Sequence, residues 1–264
     1  MEKEAHKRQD STVFEGMTSI RACIRAMEEN LTDRRIERIY VDRDKAKARS
    51  GEIGYLRAMG DKYSFPVELT DSAALDAMTL GTSHGGFAAV CTQRTILPLT
   101  PDAILPGQFA VWIEGIEDPY NFGYALRSLY ACGADMVVLS PRNWMNAAGV
   151  VCRSSAGASE LLPMYIAENE TVTDWFHYKG YKIACAGIRD SVSSFDADLT
   201  KPLFLIVGGE KRGISRKLLD RADLIVRIDY GRAFRGSLSA ASACAMLGYE
   251  VLRQNRGAGE SRDL

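Results

Sequence analysis

The feature that most constrains the fold is an alternation of apolar runs and helical segments that begins at Phe109. The apolar runs predict strands at 109–113, 136–139, 181–186, 203–207 and 224–228. Helices are predicted near 119–132, 147–157, 171–179, 215–221 and 237–253. Strands separated by helices form a mostly parallel sheet that is covered on both faces. Ligands bind beyond the carboxyl ends of such strands, so the loops that follow them are candidate sites.

The residues before this alternation form a smaller α/β pattern. Ile20, Ile24 and Met27 recur at helical spacing, and 36–41 and 87–90 predict strands. Asp71 is placed to cap a further helix. A proline-rich stretch then interrupts the pattern. We therefore predict a small domain over 11–96, a linker over 97–107 and a parallel-sheet domain over 108–256.

Composition sets limits on the class of protein. The chain has 264 residues and a net charge of −1, which is unlike the strong positive charge of a protein that coats DNA. Any affinity for a nucleic acid must then come from a local basic patch, with the candidates Arg34, Arg35, Arg38, Arg43, Lys45, Lys47 and Arg49. The same residues are equally explained as a solvent-exposed charged face that binds no nucleic acid. No apolar run is long enough for a membrane span, and segment 1–10 carries no secretion signal.

The six cysteines are far apart and include no C-x-x-C pair. Their apolar surroundings predict reduced, buried thiols with a structural role, in a cytoplasmic protein. His84 and His177 show neither a catalytic-triad pattern nor metal-ligand spacing, so no metal ion is expected.

The first candidate site follows the predicted strand 109–113. Asp118 and Pro119 mark the entry to a helix, because Asp caps helices and Pro is tolerated in the first turn. Asn121 and Arg127 are polar residues on an otherwise apolar helix. Taken singly, Asp118 is explained as a helix cap and Arg127 as a surface cation. Because these polar residues cluster after the end of a strand, a functional site is favoured.

The second candidate is the turn after strand 203–207, which contains Gly208, Gly209, Glu210 and Gly213. Glycine lets a ligand approach the backbone. Ile214 and Ser215 stand where a P-loop has Lys and Ser/Thr, and the G-x-G-x-x-G fingerprint is absent. The pattern therefore argues against a nucleoside triphosphate site and against a nicotinamide oxidoreductase. Glu210 is either a ligand-binding group or a solvated carboxylate.

The third candidate is a run of small residues between Gly231 and Ala243 that opens the last helix. Ser237 is predicted as the N-cap of this helix. Such a run permits close helix packing or close approach of a ligand, and the segment alone does not distinguish the two.

Taken in this order, the three segments resemble the SpoU family of the SPOUT superfamily, the RNA 2′-O-ribose methyltransferases. The family's D-P-x-N-x-G-x-x-x-R, G-x-E-x-x-G and S-L patterns are matched by Asp118, Pro119, Asn121, Gly123, Arg127, Gly208, Glu210, Gly213, Ser237 and Leu238. Residues 153–158 resemble its R-x-S-x-G-A segment. The N-terminal module, with Gly16 and His84-Gly85, is similar to the ribosomal-protein-like substrate-binding domain of many members.

The resemblance implies a trefoil-knotted α/β fold and a homodimer in which each active site draws on its neighbour. It implies that S-adenosylmethionine is the cofactor and is held by Val207, Gly208, Gly209, Gly213, Ile228, Leu238 and Ser239. Arg127 would assist activation of the ribose, with Asn121, Glu210 and Ser237 organising the site. The implied partner is ribosomal or transfer RNA, with no membrane and no metal ion.

Two departures from the family pattern lie beside the implied cofactor. Ser239 stands where Asn is usual, and Ile228-Asp229-Tyr230 stands where Ile-Pro-Met is common. Serine offers one hydroxyl where asparagine offers two N–H donors and a carbonyl acceptor. These departures favour an alternative, a homologue that binds RNA but has weakened or no catalysis. The intact residues that oppose this alternative are Asp118, Asn121, Arg127 and Glu210.

Overall fold

A computed structural model describes residues 12–80, 84–141, 147–167, 170–209 and 213–257. The polar N-terminal segment 1–10 and Glu210 lie outside these ranges. The chain forms two compact units: unit 1 comprises 1–95 and 143–161, and unit 2 comprises 96–142 and 162–264. In the described ranges no helix combines the length and the apolar character needed to cross a membrane.

The strands and helices in these ranges are numbered in chain order. The strands are β1 (Val13–Glu15), β2 (Ile36–Asp42), β3 (Val67–Thr70), β4 (Phe87–Cys91), β5 (Leu97–Pro98), β6 (Phe109–Glu114), β7 (Met136–Leu139), β8 (Met164–Ile166), β9 (Lys182–Ala186), β10 (Val192–Ser193), β11 (Leu203–Gly208) and β12 (Leu224–Arg227). The helices are α1 (Gly16–Glu28), α2 (Ser50–Tyr63), α3 (Ser72–Met78), α4 (Pro119–Ala131), α5 (Ala148–Ser154), α6 (Ala158–Leu161), α7 (Val172–Tyr178), α8 (Arg216–Leu219) and α9 (Ala240–Asn255).

Unit 1 contains a sheet in the order β1-β4-β2-β3. Strand β4 runs antiparallel to β1 and β2, whereas β2 and β3 are parallel. Helix α1 buries Ile20 and Ile24 in one apolar core with Phe14 of β1. Asp71 caps α3 and accepts a hydrogen bond from the Ala74 N–H at 2.8 Å. The predicted small α/β module is therefore confirmed.

Helices α5 and α6 belong to unit 1, although they follow β7 of unit 2 in the chain. Gly157 between them has φ of +89°, and a Cβ there would collide with the Ala22 side chain of α1. Arg34 Nε donates to Glu160 Oε2 at 2.9 Å, and both side chains are only 1% exposed. Arg34 is therefore not part of an exposed basic patch, because its charge is paired inside unit 1.

Unit 2 contains a parallel sheet in the order β10-β12-β9-β11-β6-β7-β8-β5. Its central strands β6 and β11 are almost entirely buried, and strands covered on both faces are continuous apolar runs. The predicted parallel sheet is therefore confirmed. Strands β5, β8 and β10 were not predicted, because two or three residues carry no measurable periodicity. Strand β5 lies within the segment 97–107.

All six cysteines are buried and unpaired. Burial raises the pKa of Cys185 and of Cys244 to about 12. Both thiols therefore remain protonated near neutral pH and are poor nucleophiles. The prediction of buried thiols without disulfides is confirmed.

Candidate active site

The candidate site lies at the carboxyl-terminal edge of the sheet in unit 2. Strands β12, β9, β11 and β6 are neighbours there. The residues that end or directly follow them are Ile228, Gly187, Gly208 and Gly115. Glycine at three neighbouring strand ends leaves backbone N–H and C=O groups that no side chain shields. Sequence reasoning missed Gly115 and Gly187, because neither belongs to a recognisable glycine-rich pattern.

The glycine turn after β11 packs tightly against the protein's own backbone. A Cβ on Gly208 would lie 2.6 Å from Ile214 N, and one on Gly209 would lie 2.6 Å from the carbonyl carbon of Gly115. The Gly213 N–H donates to Gly209 O at 3.1 Å, and Gly213 has φ of +64°. These glycines are thus required by the shape of the turn itself, a reason that the sequence alone did not supply.

The turn is also fixed at both of its ends. Val207 precedes it and is 1% exposed inside the sheet. The Ser215 N–H, after the turn, donates to Glu114 Oε2 at 3.0 Å and so joins the turn to the end of β6. Glu210, which was predicted to be catalytic, lies in the part of the turn outside the described residues.

Helix α4 begins as the sequence predicts. Asp118 Oδ2 accepts the Asn121 N–H at 2.8 Å, and the Asp118 carbonyl accepts the Phe122 N–H at 2.9 Å. Pro119 occupies the first turn. Phe122 and Leu126 are buried, which fixes this face of the helix against the protein. Asn121 is half-buried near the carboxyl end of β6.

Arg127 lies on the opposite, exposed face of α4. Tyr120 and Tyr124 share this face at helical spacing and are 50% and 49% exposed. Among the described residues, no hydrogen bond or ion pair joins Arg127 to the glycine turn or to Ser237. Arg127 is therefore exposed on the surface of a single chain.

The start of α9 corrects one prediction. Its N-cap is Ser239, whose Oγ accepts the Ser242 N–H at 3.1 Å, so the assignment of Ser237 as the cap is wrong. The Leu238 N–H donates to Tyr230 Oη at 3.3 Å, and this contact holds the preceding segment outside the helix. Ser237 is exposed, whereas Leu238 is half-buried. Since Ser and Asn are about equally good caps, the position where the family usually has asparagine keeps a residue that can cap the helix.

Asp229 is held in place at the end of β12. Ser193 Oγ donates to one of its carboxylate oxygens, and Arg227 Nε donates to the other at 2.8 Å. The hydrogen bond from Ser193, followed by that from Arg227, lowers the pKa of Asp229 below its usual value. Because Ser193 lies in β10, the carboxylate joins the ends of two neighbouring strands. Ser193 was not predicted, since it is 36 residues away in sequence.

An apolar cavity of about 540 Å³ lies beside α4 and α9. Its lining includes Ala131, Phe195, Ile228, Met246 and Tyr249. The two helices approach closely, since a Cβ on Gly248 would lie 3.3 Å from the Cβ of Cys132. Phe195 and Tyr249 are 77% and 65% exposed. Exposed apolar surface of this kind is typical of faces that take part in binding.

Two sequence families match this chain. The SpoU rRNA Methylase family matches residues 108–249. The family described as RNA 2′-O ribose methyltransferase substrate binding matches residues 14–97.

Individual relatives agree with these matches. The chain is 27% identical over 228 residues to the 23S rRNA (guanosine-2′-O-)-methyltransferase RlmB of Coxiella burnetii, a match that covers 83% of this chain and 88% of that one. It is 31% identical over 193 residues to an uncharacterised tRNA/rRNA methyltransferase of Mycobacterium avium, covering 70% of this chain and 61% of that one. The chain thus spans about three fifths of the length of the second relative.

A solved structure has the same fold. The AdoMet-bound rRNA methyltransferase of Sinorhizobium meliloti superposes with a TM-score of 0.74 at 21% identity and covers 95% of this chain and 90% of that one. The likeness supports the fold class implied by the resemblance, a SPOUT-like parallel-sheet domain preceded by a small α/β domain. Because the first family match covers more than half of the residues, this protein belongs to the SpoU rRNA methylase family.

Proposed function

We propose that this protein transfers a methyl group from S-adenosylmethionine to a ribose 2′-hydroxyl of ribosomal or transfer RNA. The observation that carries the proposal is the position of the matched motifs at one edge of the sheet. The Gly208 turn and Ile228 follow strands of that edge, and Leu238 is joined to it through Tyr230. The family match and the relatives named for RNA methylation support the same reaction.

The residues at this edge fit S-adenosylmethionine. Backbone N–H and C=O groups of the turn that begins at Gly208 suit the polar groups of an adenosine and of an amino acid, and half-buried Ile228 and Leu238 suit a purine ring. When bound, S-adenosylmethionine supplies an electrophilic methyl group on a positively charged sulfur. Backbone groups of the remaining predicted residues complete the proposed site, namely Val207, Gly213 and Ser239.

Arg127 acts on the ribose in this proposal. Arginine is a poor candidate for a general base, because a guanidinium group is a very weak proton acceptor. A fixed positive charge instead stabilises the negative charge that develops on the 2′-oxygen as it attacks. Asn121, Glu210 and Ser237 orient the ribose and the arginine.

We also propose a homodimer in which Arg127 reaches the active site of the partner subunit. Tyr120, Tyr124 and Arg127 share the exposed face of α4, and Ala131, one turn further along, lines the apolar cavity beside α9. Symmetric pairing of these helices would bury both surfaces. It would also bring the exposed Arg127 to the glycine turn of the partner subunit.

Three further elements belong to the same proposal. One is the trefoil knot that the family resemblance implies. The second is the division into domains 11–96 and 108–256 with the linker 97–107. The third is a cytoplasmic location, which the unpaired cysteines support, since disulfides are rare in that compartment.

The catalytic proposal is tested with Arg127→Ala. We expect the single-turnover rate of RNA methylation to fall about a hundredfold or more, because one stabilising donor is lost. The affinity for S-adenosylmethionine, measured by calorimetry, should not change. Arg221→Ala is the control, since Arg221 pairs with Asp174 near the opposite, amino-terminal edge of the sheet. An undiminished methylation rate in Arg127→Ala would show that Arg127 is an ordinary surface cation without a catalytic role.

The same measurements decide the alternative function. Calorimetry that detects no binding of S-adenosylmethionine to the wild-type protein, together with intact RNA binding, favours the inactive RNA-binding homologue. Mass spectrometry of digested ribosomal and transfer RNA, incubated with the protein and labelled cofactor, identifies the methylated nucleotide.

The shared active site is tested by mixing two impaired variants at a cofactor concentration far below saturation, where each variant alone keeps at most about a tenth of wild-type activity. A mixed dimer of Arg127→Ala and Gly208→Ala has one site with both defects and one site with none. We expect such mixtures to recover about a quarter of wild-type activity if the dimer is symmetric and the subunits exchange freely. Two active sites that each use residues of one chain only would recover nothing, and sedimentation would reveal a monomer directly.

A further inference from the structure

A polar cavity of about 340 Å³ lies within unit 1. Four stretches that are distant in sequence line it: Gly16 at the start of α1, Arg49 and Glu52 near the start of α2, the His84-Gly85 turn, and Arg153 of α5. The proposed methyl transfer uses none of these residues, although Gly16, His84-Gly85 and Arg153 belong to segments that resemble the family. Because these residues converge on one cavity, we look for a role of the cavity other than methyl transfer.

His84 fixes the turn that forms one wall of the cavity. Its Nδ1 accepts the Gly86 N–H at 3.1 Å, and its Nε2 lies 3.0 Å from Asp76 Oδ1. Gly85 and Gly86 have φ of +63° and +93°, a conformation that other residues rarely adopt. The turn is thus held by its own hydrogen bonds and is in place without a ligand.

Two arginines are paired with two carboxylates in the lining. Arg153 Nη1 lies 2.5 Å from Glu15 Oε2, and Arg49 Nη1 lies 3.0 Å from Glu52 Oε1. The arginine side chains are 39% and 49% exposed, whereas Glu15 is 6% exposed. A guanidinium has five N–H donors, so each arginine keeps donors beyond the one given to its carboxylate. The cavity therefore offers fixed donors and acceptors side by side.

A basic segment borders this cavity. Arg43, Lys45 and Lys47 are exposed between β2 and Arg49. A Cβ on Gly86 would lie 3.0 Å from Lys45 Cδ, so the segment runs past the turn that forms the cavity wall. Cations along such a segment bind backbone phosphates of a nucleic acid. In the cavity itself the two carboxylates offset the two arginines, so its lining favours phosphate less than the basic segment does.

We propose that this cavity takes one unpaired base of the RNA, while the basic segment 43–47 binds the adjoining phosphates. The proposal rests on the proposed function, because it takes RNA to be the substrate. A volume of about 340 Å³ suits a single nucleotide and excludes a double helix. Unpaired bases leave the stack and are recognised by hydrogen bonds to their edges, which need donors and acceptors together. Arg49 and Arg153 supply donors to the base, and Glu52 accepts from its N–H groups, whereas the buried Glu15 holds Arg153 in place.

The test compares two variants that remove the same charge. The probes are a labelled, unstructured RNA of about 12 nucleotides and the duplex that it forms with its complement. Binding is measured by fluorescence anisotropy without S-adenosylmethionine. Arg49→Ala removes a cavity arginine, and Arg57→Ala removes an exposed arginine of α2 that does not line the cavity. We expect the single strand to bind more tightly than the duplex, and Arg49→Ala to weaken it about tenfold. Arg57→Ala should have less than about a twofold effect.

A cavity-filling variant provides a second, independent test. Thr18 is exposed at the mouth of the cavity, and Thr18→Trp should abolish the preference for the single strand by occupying the space of the base. Unchanged affinity for S-adenosylmethionine and unchanged hydrogen exchange in α1 show that the variant is folded. Equal effects of Arg49→Ala and Arg57→Ala, wild-type binding by Thr18→Trp, or no binding of either RNA by the wild-type protein would each overturn the proposal. A protein that binds single strands through this cavity but does not bind S-adenosylmethionine refutes only the methyltransferase function.

Discussion

Glu160→Gln is expected to destabilise unit 1 strongly. Glu160 faces Arg34 at 2.9 Å, and both side chains are 1% exposed. The Arg34 guanidinium also donates to Thr92 O at 2.5 Å and lies 4.6 Å from the centre of the Phe14 ring. Burial is the largest single influence and lowers the pKa of Arg34, but the charge of Glu160 and the hydrogen bond to it, with smaller contributions from Cys23 and Cys91, together outweigh burial, and the net shift is upward. Arg34 therefore stays charged in the folded protein and needs the carboxylate.

The size of the effect follows from burial. Removing one partner of a buried ion pair costs about 3–5 kcal/mol, because the remaining charge stays in a low-dielectric environment. An exposed pair contributes only about 0–1 kcal/mol. A loss of about 4 kcal/mol raises the opened fraction of unit 1 by roughly three orders of magnitude.

Hydrogen exchange followed by mass spectrometry measures this opening in α1 and β2 separately from unit 2. The matched control is Glu68→Gln, which makes the same chemical change in the exposed pair Arg38–Glu68, where the partners are 3.1 Å apart and 46% and 42% exposed. The double variant Arg34→Met with Glu160→Leu should recover most of the lost stability, since it removes both charges. If Glu160→Gln accelerates exchange no more than Glu68→Gln does, the buried-charge argument is refuted.

Two more predictions concern unit 2. Ser239→Ala should lower the free energy of unfolding by about 1 kcal/mol, whereas Ser239→Asn should leave it nearly unchanged, because only alanine cannot cap α9. Denaturation followed by the fluorescence of Trp112 and Trp175 compares them, and equal stability of all three proteins would show that the cap is unimportant. Gly208→Ala should weaken S-adenosylmethionine binding in calorimetry by about tenfold, since its Cβ would displace the turn. Gly54→Ala, where a Cβ meets nothing within 4 Å, is the control, and equal affinities would contradict the placement of the site.

Local patterns predicted the parallel sheet and two of the helix caps. Strands β6 and β11 are apolar runs bounded by turn residues, and their burial on both faces is a local property of composition. Asp71 and Asp118 could be assigned because a cap needs only a suitable residue directly before a helical pattern. These predictions succeeded because the interactions that determine a buried strand or a helix cap act between residues that are close in sequence.

Contacts between distant residues decided what the sequence left open. Ser237 and Ser239 both satisfy the local rule for a helix cap, but only Ser239 caps α9. The Leu238 N–H between them donates to Tyr230 Oη instead of joining the helix. Arg34 resembles its basic neighbours in sequence, but Glu160, 126 residues away, pairs with it in the core of unit 1. No periodicity or propensity encodes such a pair.

The two departures from the family pattern change how the strand ends are held more than where they lie. A proline after Ile228 would restrict the backbone through its ring, whereas Asp229 restrains the same position through hydrogen bonds from Ser193 and Arg227. Because the pKa of Asp229 is lowered, this restraint is complete above the usual aspartate range and is lost only as the pH falls through the lowered value. Ser239 caps α9 with its own hydroxyl oxygen. Among the described residues, both departures leave the end of β12 and the start of α9 in place, so they are compatible with the methyltransferase activity of the family.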